Sequence, residues 1–183
     1  MRKLYAILAL ALLFQLPAQA LQRENALSER EVEKLRDTAS IPSDRVLVFV
    51  GFLDDRIKDI DRLTTGKRKP GREEDIHDRM QQFASIAEDL DDNLDDYSKH
   101  HRDLRKALPK LIAATDHWAT VLKSPPNDDS YNVARALALE DLKDIHDAAI
   151  KLLAEQRIYF AAHPPDKEDN RSLNSDRPPS KPF

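Results

Sequence analysis

Apolar residues recur between Ile76 and Leu122 at alternating steps of four and three residues. Only His101 and Thr115 interrupt this stripe, in a chain that is 40% hydrophobic overall. A repeat averaging about 3.5 residues keeps one face of a helix turned toward a partner helix, as in coiled-coil packing. The pattern therefore predicts amphipathic helical structure packed against other helices. The stripe comprises Ile76, Met80, Phe83, Ala87, Leu90, Leu94, Tyr97, His101, Leu104, Leu108, Leu111, Thr115, Trp118 and Leu122.

Two features could interrupt this helix. The polar stretch Ser98–His101 places a His on the stripe, and Pro109 lies inside the helical pattern, where a proline costs about 3 kcal/mol. A full break usually resets the phase of the stripe, and here the phase is the same on both sides. We therefore predict one long central helix from Glu73 to Leu122, kinked or loosened near Leu104–Pro109, rather than a tight hairpin there.

Similar stripes predict three further helices. Ser28 and Glu31 have the spacing of a capping box, which predicts a short helix over Ser28–Thr38. Pro42 suits the first turn of the next helix, Pro42–Leu63, with Ser40 or Ser43 as its cap. Gly51, inside that helix, would let a neighbouring helix approach closely. The last helix is predicted over Ser130–Phe160.

Loops rich in Gly, Pro and charged residues separate these helices. Thr64–Gly71 contains two of the three glycines of the chain and predicts a helical hairpin. Lys123–Ser130 is the second loop. The predicted fold is all-α: an elongated antiparallel bundle of three or four helices. Its central helix would pair with Pro42–Leu63 along its N-terminal half and with Ser130–Phe160 along its C-terminal half.

The two ends of the chain differ from the bundle. Residues 1–20 have a basic start, an apolar run over Leu4–Leu16 and an Ala-Gln-Ala site, which together predict a cleaved secretory signal peptide. The helical domain is predicted over residues 21–162. Residues 163–183 are rich in proline and charge and predict a disordered tail. We therefore expect a periplasmic or secreted protein with no stable membrane insertion after cleavage.

Composition excludes several kinds of chemistry. The chain has no Cys, which excludes thiol nucleophiles, CxxC redox sites and Cys-ligated metals. Its three glycines form no P-loop or dinucleotide fingerprint. A net charge of −4 does not suit nucleic acid. No nucleophile–base set is visible either, so we predict a protein that is not an enzyme and has no cofactor.

His100, His101 and Asp96 are the candidate metal ligands. Asp96 lies one helical turn before His100, and His101 occupies a stripe position. His101 can be read as a half-buried, hydrogen-bonded residue or as the point where the helix opens. It can also be read as a zinc ligand with Asp96, or as a pH-sensitive hinge, since His titrates near neutrality.

Charge is concentrated on either side of these residues. The acidic run Glu88–Asp96 predicts a solvated helix face, because it lacks the Gly and chain reversal of a calcium loop. Lys99, Arg102, Arg105 and Lys106 follow it and could extend toward an acidic patch on a neighbouring molecule.

These patterns favour an exported, non-enzymatic helical interaction or structural protein. It would bind a protein partner through a helix face, or bind another copy of itself. One alternative is a bundle that binds a metal or a small ligand at His100, His101 and Asp96. A second alternative is a periplasmic helical chaperone.

Overall fold

A computed structural model describes residues 26–164 of the chain. The secondary structure of this part is all α-helical and comprises five helices, one more than the upper end of the predicted range. They are α1 (Glu29–Asp37), α2 (Pro42–Thr65), α3 (Arg72–Lys99), α4 (Leu108–Lys123) and α5 (Asn132–Ala162). The predicted signal peptide lies outside the described residues, and so does almost all of the predicted tail.

Helices α2 to α5 pack as a four-helix bundle, in which they form a closed ring and each helix has two neighbours. The neighbouring pairs in this ring are α2 with α3, α3 with α5, α5 with α4, and α4 with α2. The chain runs alternately up and down the ring. Consequently α3 and α5 are parallel neighbours, while the consecutive helices α3 and α4 lie across the ring from each other. The short helix α1 packs mainly against α2.

The predicted long central helix is wrong. Helix α3 ends at Lys99, and α4 begins at Leu108 and runs back antiparallel to α3. The return is visible in the core, where the rings of Phe83 and Trp118 meet edge to face with centroids 5.8 Å apart. Both predicted pairings, α2 with α3 and α4 with α5, are present. Their exclusive division is wrong, because α2 also contacts α4 and α5 also contacts α3.

The phase of the stripe survives because the connection between α3 and α4 is itself part of the core. Leu104 and Ala107 lie in this loop and are both fully buried. Pro109 causes no interior break, because it lies in the first turn of α4. Every stripe residue from Ile76 to Leu122 is buried except His101. Burial was therefore predicted correctly except at His101, which is exposed rather than half-buried, although the path of the chain was not.

The first helix has the predicted cap and a strong ionic anchor. The Ser28 side chain and the Glu31 side chain form the reciprocal capping box. Glu31 also accepts from Arg56 of α2, with an Nη2–Oε2 distance of 2.9 Å. This hydrogen bond from a guanidinium lowers the pKa of Glu31 to about 2. The polar pair thus fixes α1 on α2.

Two expectations for α2 are wrong. Its N-cap residue is Ile41, with no side-chain cap, and the Ser43 hydroxyl instead donates to the Asp103 carbonyl across the bundle end. Gly51 is not at a close helix contact, because a Cβ placed there would meet nothing within 4 Å. The predicted hairpin between α2 and α3 is confirmed. Its Gly71 has a φ of 81°, which the absence of a side chain makes inexpensive.

No helix within residues 26–164 has an apolar stretch long enough to cross a membrane.

Candidate functional site

The site is built on the corner between α3 and α4. Helix α3 ends in a Schellman motif. In it the Arg102 amide donates to the Tyr97 carbonyl at 2.9 Å, and the His101 amide donates to the Ser98 carbonyl at 3.2 Å. This motif needs a left-handed residue at the position after the cap. His101 occupies it with a φ of 50°, the one positive φ outside glycine in the described residues. A non-glycine residue in this conformation stores about 1–2 kcal/mol of strain.

Gln156 of α5 holds the corner in place. Its side-chain oxygen accepts from the Leu104 amide at 2.8 Å, and its side-chain nitrogen donates to the Arg102 carbonyl at 2.7 Å. Gln156 is only 4% exposed. Because both backbone groups belong to a loop folded over the core, one amide side chain replaces the bonds that a helix would have supplied.

The corner presents a stack of three rings. The His101 ring lies flat on Tyr159, with centroids 4.0 Å apart and planes 9° apart. His163 covers the other face of Tyr159 at 4.5 Å and 22°. Phe160 meets the same tyrosine edge to face at 5.1 Å. The two His side chains are exposed, whereas Tyr159 and Phe160 are half-buried.

An arginine completes this surface. The Arg105 guanidinium lies 4.5 Å from the centroid of the Phe160 ring, within cation–π range. Two of its nitrogens also donate to the carboxylate of Asp103, at 2.9 and 2.7 Å. These hydrogen bonds lower the pKa of Asp103. We call the surface formed by His101, Arg105, Tyr159, Phe160 and His163 the terminal patch.

The three predicted metal ligands do not converge. His100 Nδ1 lies 3.2 Å from Asp96 Oδ1 and 2.8 Å from the Asp96 carbonyl oxygen, so these two residues do form a pair. His101 points its ring at Tyr159 instead. Between residues 26 and 164 no three His, Asp or Glu side chains are grouped as a metal site would require. Metal binding at these residues stays a prediction.

The acidic run of α3 meets acidic residues of α5. Burial raises the pKa of Asp91, and the carboxylates of Asp95 and Asp144 raise it further. Asp141 is affected more strongly: burial, followed by the nearby Glu88 and other carboxylates, raises its pKa to about 6. The face that was predicted to be merely solvated therefore carries crowded negative charge along the α3–α5 seam.

A groove of about 310 Å³ lies between α4 and α5. His146 and Thr115 bridge the two helices at one side of it, with 2.7 Å between Nδ1 and Oγ1. Three apolar residues, Ala119, Leu139 and Leu142, line the groove together with the charged side chains of Asp116, Lys123 and Lys143. No pattern in the sequence indicated this groove.

Most of the terminal patch was missed by sequence reasoning. Of its members, His101 was a candidate metal ligand and Arg105 a candidate contact to an acidic neighbour, and the three residues of the α5 end were not singled out. A signal existed for Gln156, a polar residue four positions after Leu152 and three before Tyr159 on the stripe of α5. A polar residue on a buried stripe usually has a specific hydrogen-bonding task. The identity of its partners could not be inferred without the fold.

The chain matches no family model, and neither a curated protein nor a solved structure shows significant similarity to it.

Proposed function

We propose that the protein is an exported, non-enzymatic interaction protein that binds an acidic partner protein through the terminal patch. Export rests on the signal pattern of residues 1–20. The observation that carries the proposal is the strained His101, whose exposed ring is held flat on Tyr159. A chain that needed only to turn would have placed Gly at this position at no cost.

The composition of the patch supports a binding role. Tyr, Phe and Arg are enriched in protein–protein interfaces, and Tyr and Arg are frequent among the residues that contribute most to affinity. Stacking fixes the rings before binding, so less side-chain entropy is lost when a partner docks. The patch thus offers a rigid aromatic surface with cationic groups at its edges.

Local charge indicates what kind of partner would fit. Four exposed basic side chains lie within a few residues of the patch along the chain, whose net charge is −4. One of them, Lys99, is paired with Asp95 at 3.1 Å. A partner with an acidic surface would be attracted to this end and repelled by the acidic seam of α3 and α5. These basic residues are Lys99, Arg102, Lys106 and Arg157.

A photo-crosslinking experiment tests the proposal. A photoreactive amino acid at Phe160, introduced in the producing cell, should capture a partner that the same group at Lys58 on α2 does not. Affinity for the identified partner should then fall about tenfold or more for Tyr159→Ala and for Arg105→Ala, as for central interface residues. Lys58→Ala is the matched control. Unchanged affinity in both patch variants would refute the assignment.

The groove between α4 and α5 supports a second candidate, the binding of a small amphipathic anion. Its volume lies at the lower end for ligand pockets. Its lining combines Ala119, Leu139 and Leu142 with Lys123 and Lys143 against one carboxylate, Asp116, and Lys143 also pairs with Asp147. Octanoate is a suitable probe. Binding seen by nuclear magnetic resonance, with shifts confined to the groove and lost in Leu139→Asp, would support this function. Shifts spread over the whole surface would not.

A further inference from the structure

The outer face of α5 is unusually apolar. The large hydrophobic side chains that are strongly exposed in residues 26–164 all belong to this one helix: Val133 at 71%, Leu137 at 48%, Ile150 at 47% and Ile158 at 76%. Scattered exposed hydrophobic residues are ordinary on any protein. Their restriction to a single helix of five indicates that this face has a role.

Three of them belong to a second stripe with regular spacing. Starting from Val133, steps of four and three residues alternate without interruption as far as Ile158. All eight positions reached are exposed. This spacing forms the seam of a pair of helices, yet here the positions are left exposed. We call the set the outer stripe: Val133, Leu137, Glu140, Asp144, Asp147, Lys151, Ala154 and Ile158.

The outer stripe can pair with a second copy of itself running in the opposite direction. The steps of four and three residues follow the same order from either end of the stripe. Two copies of α5 can therefore align antiparallel about a point between Ile145 and His146. In that register Val133 lies opposite Ile158 of the second copy, and Leu137 lies opposite Ala154. Apolar positions therefore meet apolar positions near both ends of the seam.

The charged positions agree with the same register. Glu140 of each copy lies opposite Lys151 of the other, which gives two attractive pairs related by the twofold axis. At the centre Asp144 lies opposite Asp147, a repulsive contact. Lys143 reduces this repulsion, because its ammonium group lies 2.9 Å from the Asp147 carboxylate of the same chain. The pairing is consequently attractive at the two Glu140–Lys151 contacts and at the apolar ends. It is unfavourable at its middle, where Asp91 and Asp141 add to the negative charge around Asp144.

We propose that a second copy of this chain docks antiparallel on the outer stripe of α5. Parallel pairing would place Glu140 against Glu140 and Lys151 against Lys151, so charge selects the antiparallel arrangement. The central carboxylates make the dimer weak and reversible. The outer stripe does not include the terminal patch, so this inference does not depend on the proposed function.

Charge reversal tests the register. Glu140→Lys and Lys151→Glu, each made alone in the full chain, turn both attractive pairs into repulsive ones. Sedimentation equilibrium should show the dimer dissociation constant of each variant raised about tenfold or more. An equimolar mixture of the two variants should dimerise again, because both pairs of the mixed species once more join a lysine to a glutamate. Asp61→Lys is the matched control and should dimerise like the parent, because Asp61 is an exposed acidic residue of α2, which lies across the ring from α5.

Disulfide trapping tests the orientation in a chain that has no cysteine of its own. Val133→Cys mixed with Ile158→Cys should form a mixed disulfide dimer in a glutathione buffer. Ile158→Cys alone should not, since two such residues would lie about 37 Å apart at ~1.5 Å per residue. Self-linkage of Ile158→Cys would indicate parallel pairing and overturn the proposal. A parent chain that stays monomeric at about 1 mM would overturn it as well.

Discussion

Two turns reverse the chain at opposite ends of the bundle, and each needs a residue with positive φ. Between α2 and α3 that residue is Gly71, at 81°. Between α3 and α4 it is His101, at 50°. The first turn uses a residue that adopts this conformation readily, whereas the second uses a strained residue whose ring stacks on Tyr159.

The two turns also differ in what holds them. The loop that ends at Gly71 is exposed, basic and joined to α3 by surface ion pairs such as Arg68–Glu73, at 2.8 Å. The loop that contains His101 is fixed from inside by the buried Gln156. Strain that is held by a buried polar anchor is typical of a functional site rather than of a simple connection.

The largest loss of stability should come from removing the side-chain amide of Gln156. Gln156→Leu leaves the Leu104 amide and the Arg102 carbonyl without their partner, and each unsatisfied buried group costs about 1–3 kcal/mol. We expect the free energy of unfolding to fall by about 3 kcal/mol in urea titration. Gln156→Glu keeps an acceptor for Leu104 but loses the donor to Arg102. A loss below about 1 kcal/mol for Gln156→Leu would mean that the loop does not depend on this residue.

A smaller effect should come from the turn between α2 and α3. Gly71→Ala places a side chain at a φ of 81°, which costs about 1 kcal/mol. We expect a loss of this size by thermal and chemical unfolding. Gly51→Ala is the matched control, because that glycine lies in regular helix with open space around it. It should raise stability by about 0.5–1 kcal/mol.

His101→Gly should raise the free energy of unfolding, whereas Gly71→Ala should lower it. Glycine removes the strain, but the variant also loses the stacking on Tyr159, so we expect a net gain of about 0.5 kcal/mol. In a Tyr159→Ala background the stacking is already absent, and the same change should gain about 1 kcal/mol. A double-mutant cycle separates the two contributions. Destabilisation in both backgrounds would show that His101 is not strained.

An effect of similar size on stability should come from the ion pair of the corner, Asp103–Arg105. The pKa of Asp103 is lowered by Arg105, so the folded state favours the ionised carboxylate. This stabilisation is present above the unfolded pKa of about 3.9 and is lost as pH falls through the lower folded value. Because the pair is partly exposed, Asp103→Asn should cost only about 0.5 kcal/mol at pH 7. Unfolding at pH 2 should no longer distinguish the variant from the parent.

The two turns also differ in how far the sequence could predict them. The turn before α3 was predictable because Gly66 and Gly71 lie in a polar loop between two apolar stripes. The corner after α3 was not, because a His replaces the usual glycine and Leu104 continues the stripe through the loop. The predicted metal ligands shared one helix in sequence, but the left-handed turn directs His101 away from Asp96.

The terminal patch could not be predicted from the sequence for a different reason. It joins His101 and Arg105 to Tyr159 and His163, which are more than fifty positions further along the chain. Helical periodicity relates residues within one element, and it does not say which elements are neighbours. The outer stripe of α5 is the opposite case. All its residues belong to one helix, so their spacing can be read from the sequence, and the structure was needed only to show that they are exposed.

The diagonal placement of α3 and α4 has a consequence for the order in which the bundle can assemble. Helices α2 and α3 are joined by a short turn and pack on each other, so they can pair early as a local hairpin. Helix α4 gains no such local partner in α3 and must dock on α2 and α5. The chain therefore cannot close its core until α5 has been made, and until then the inner face of the first hairpin is accessible to other molecules.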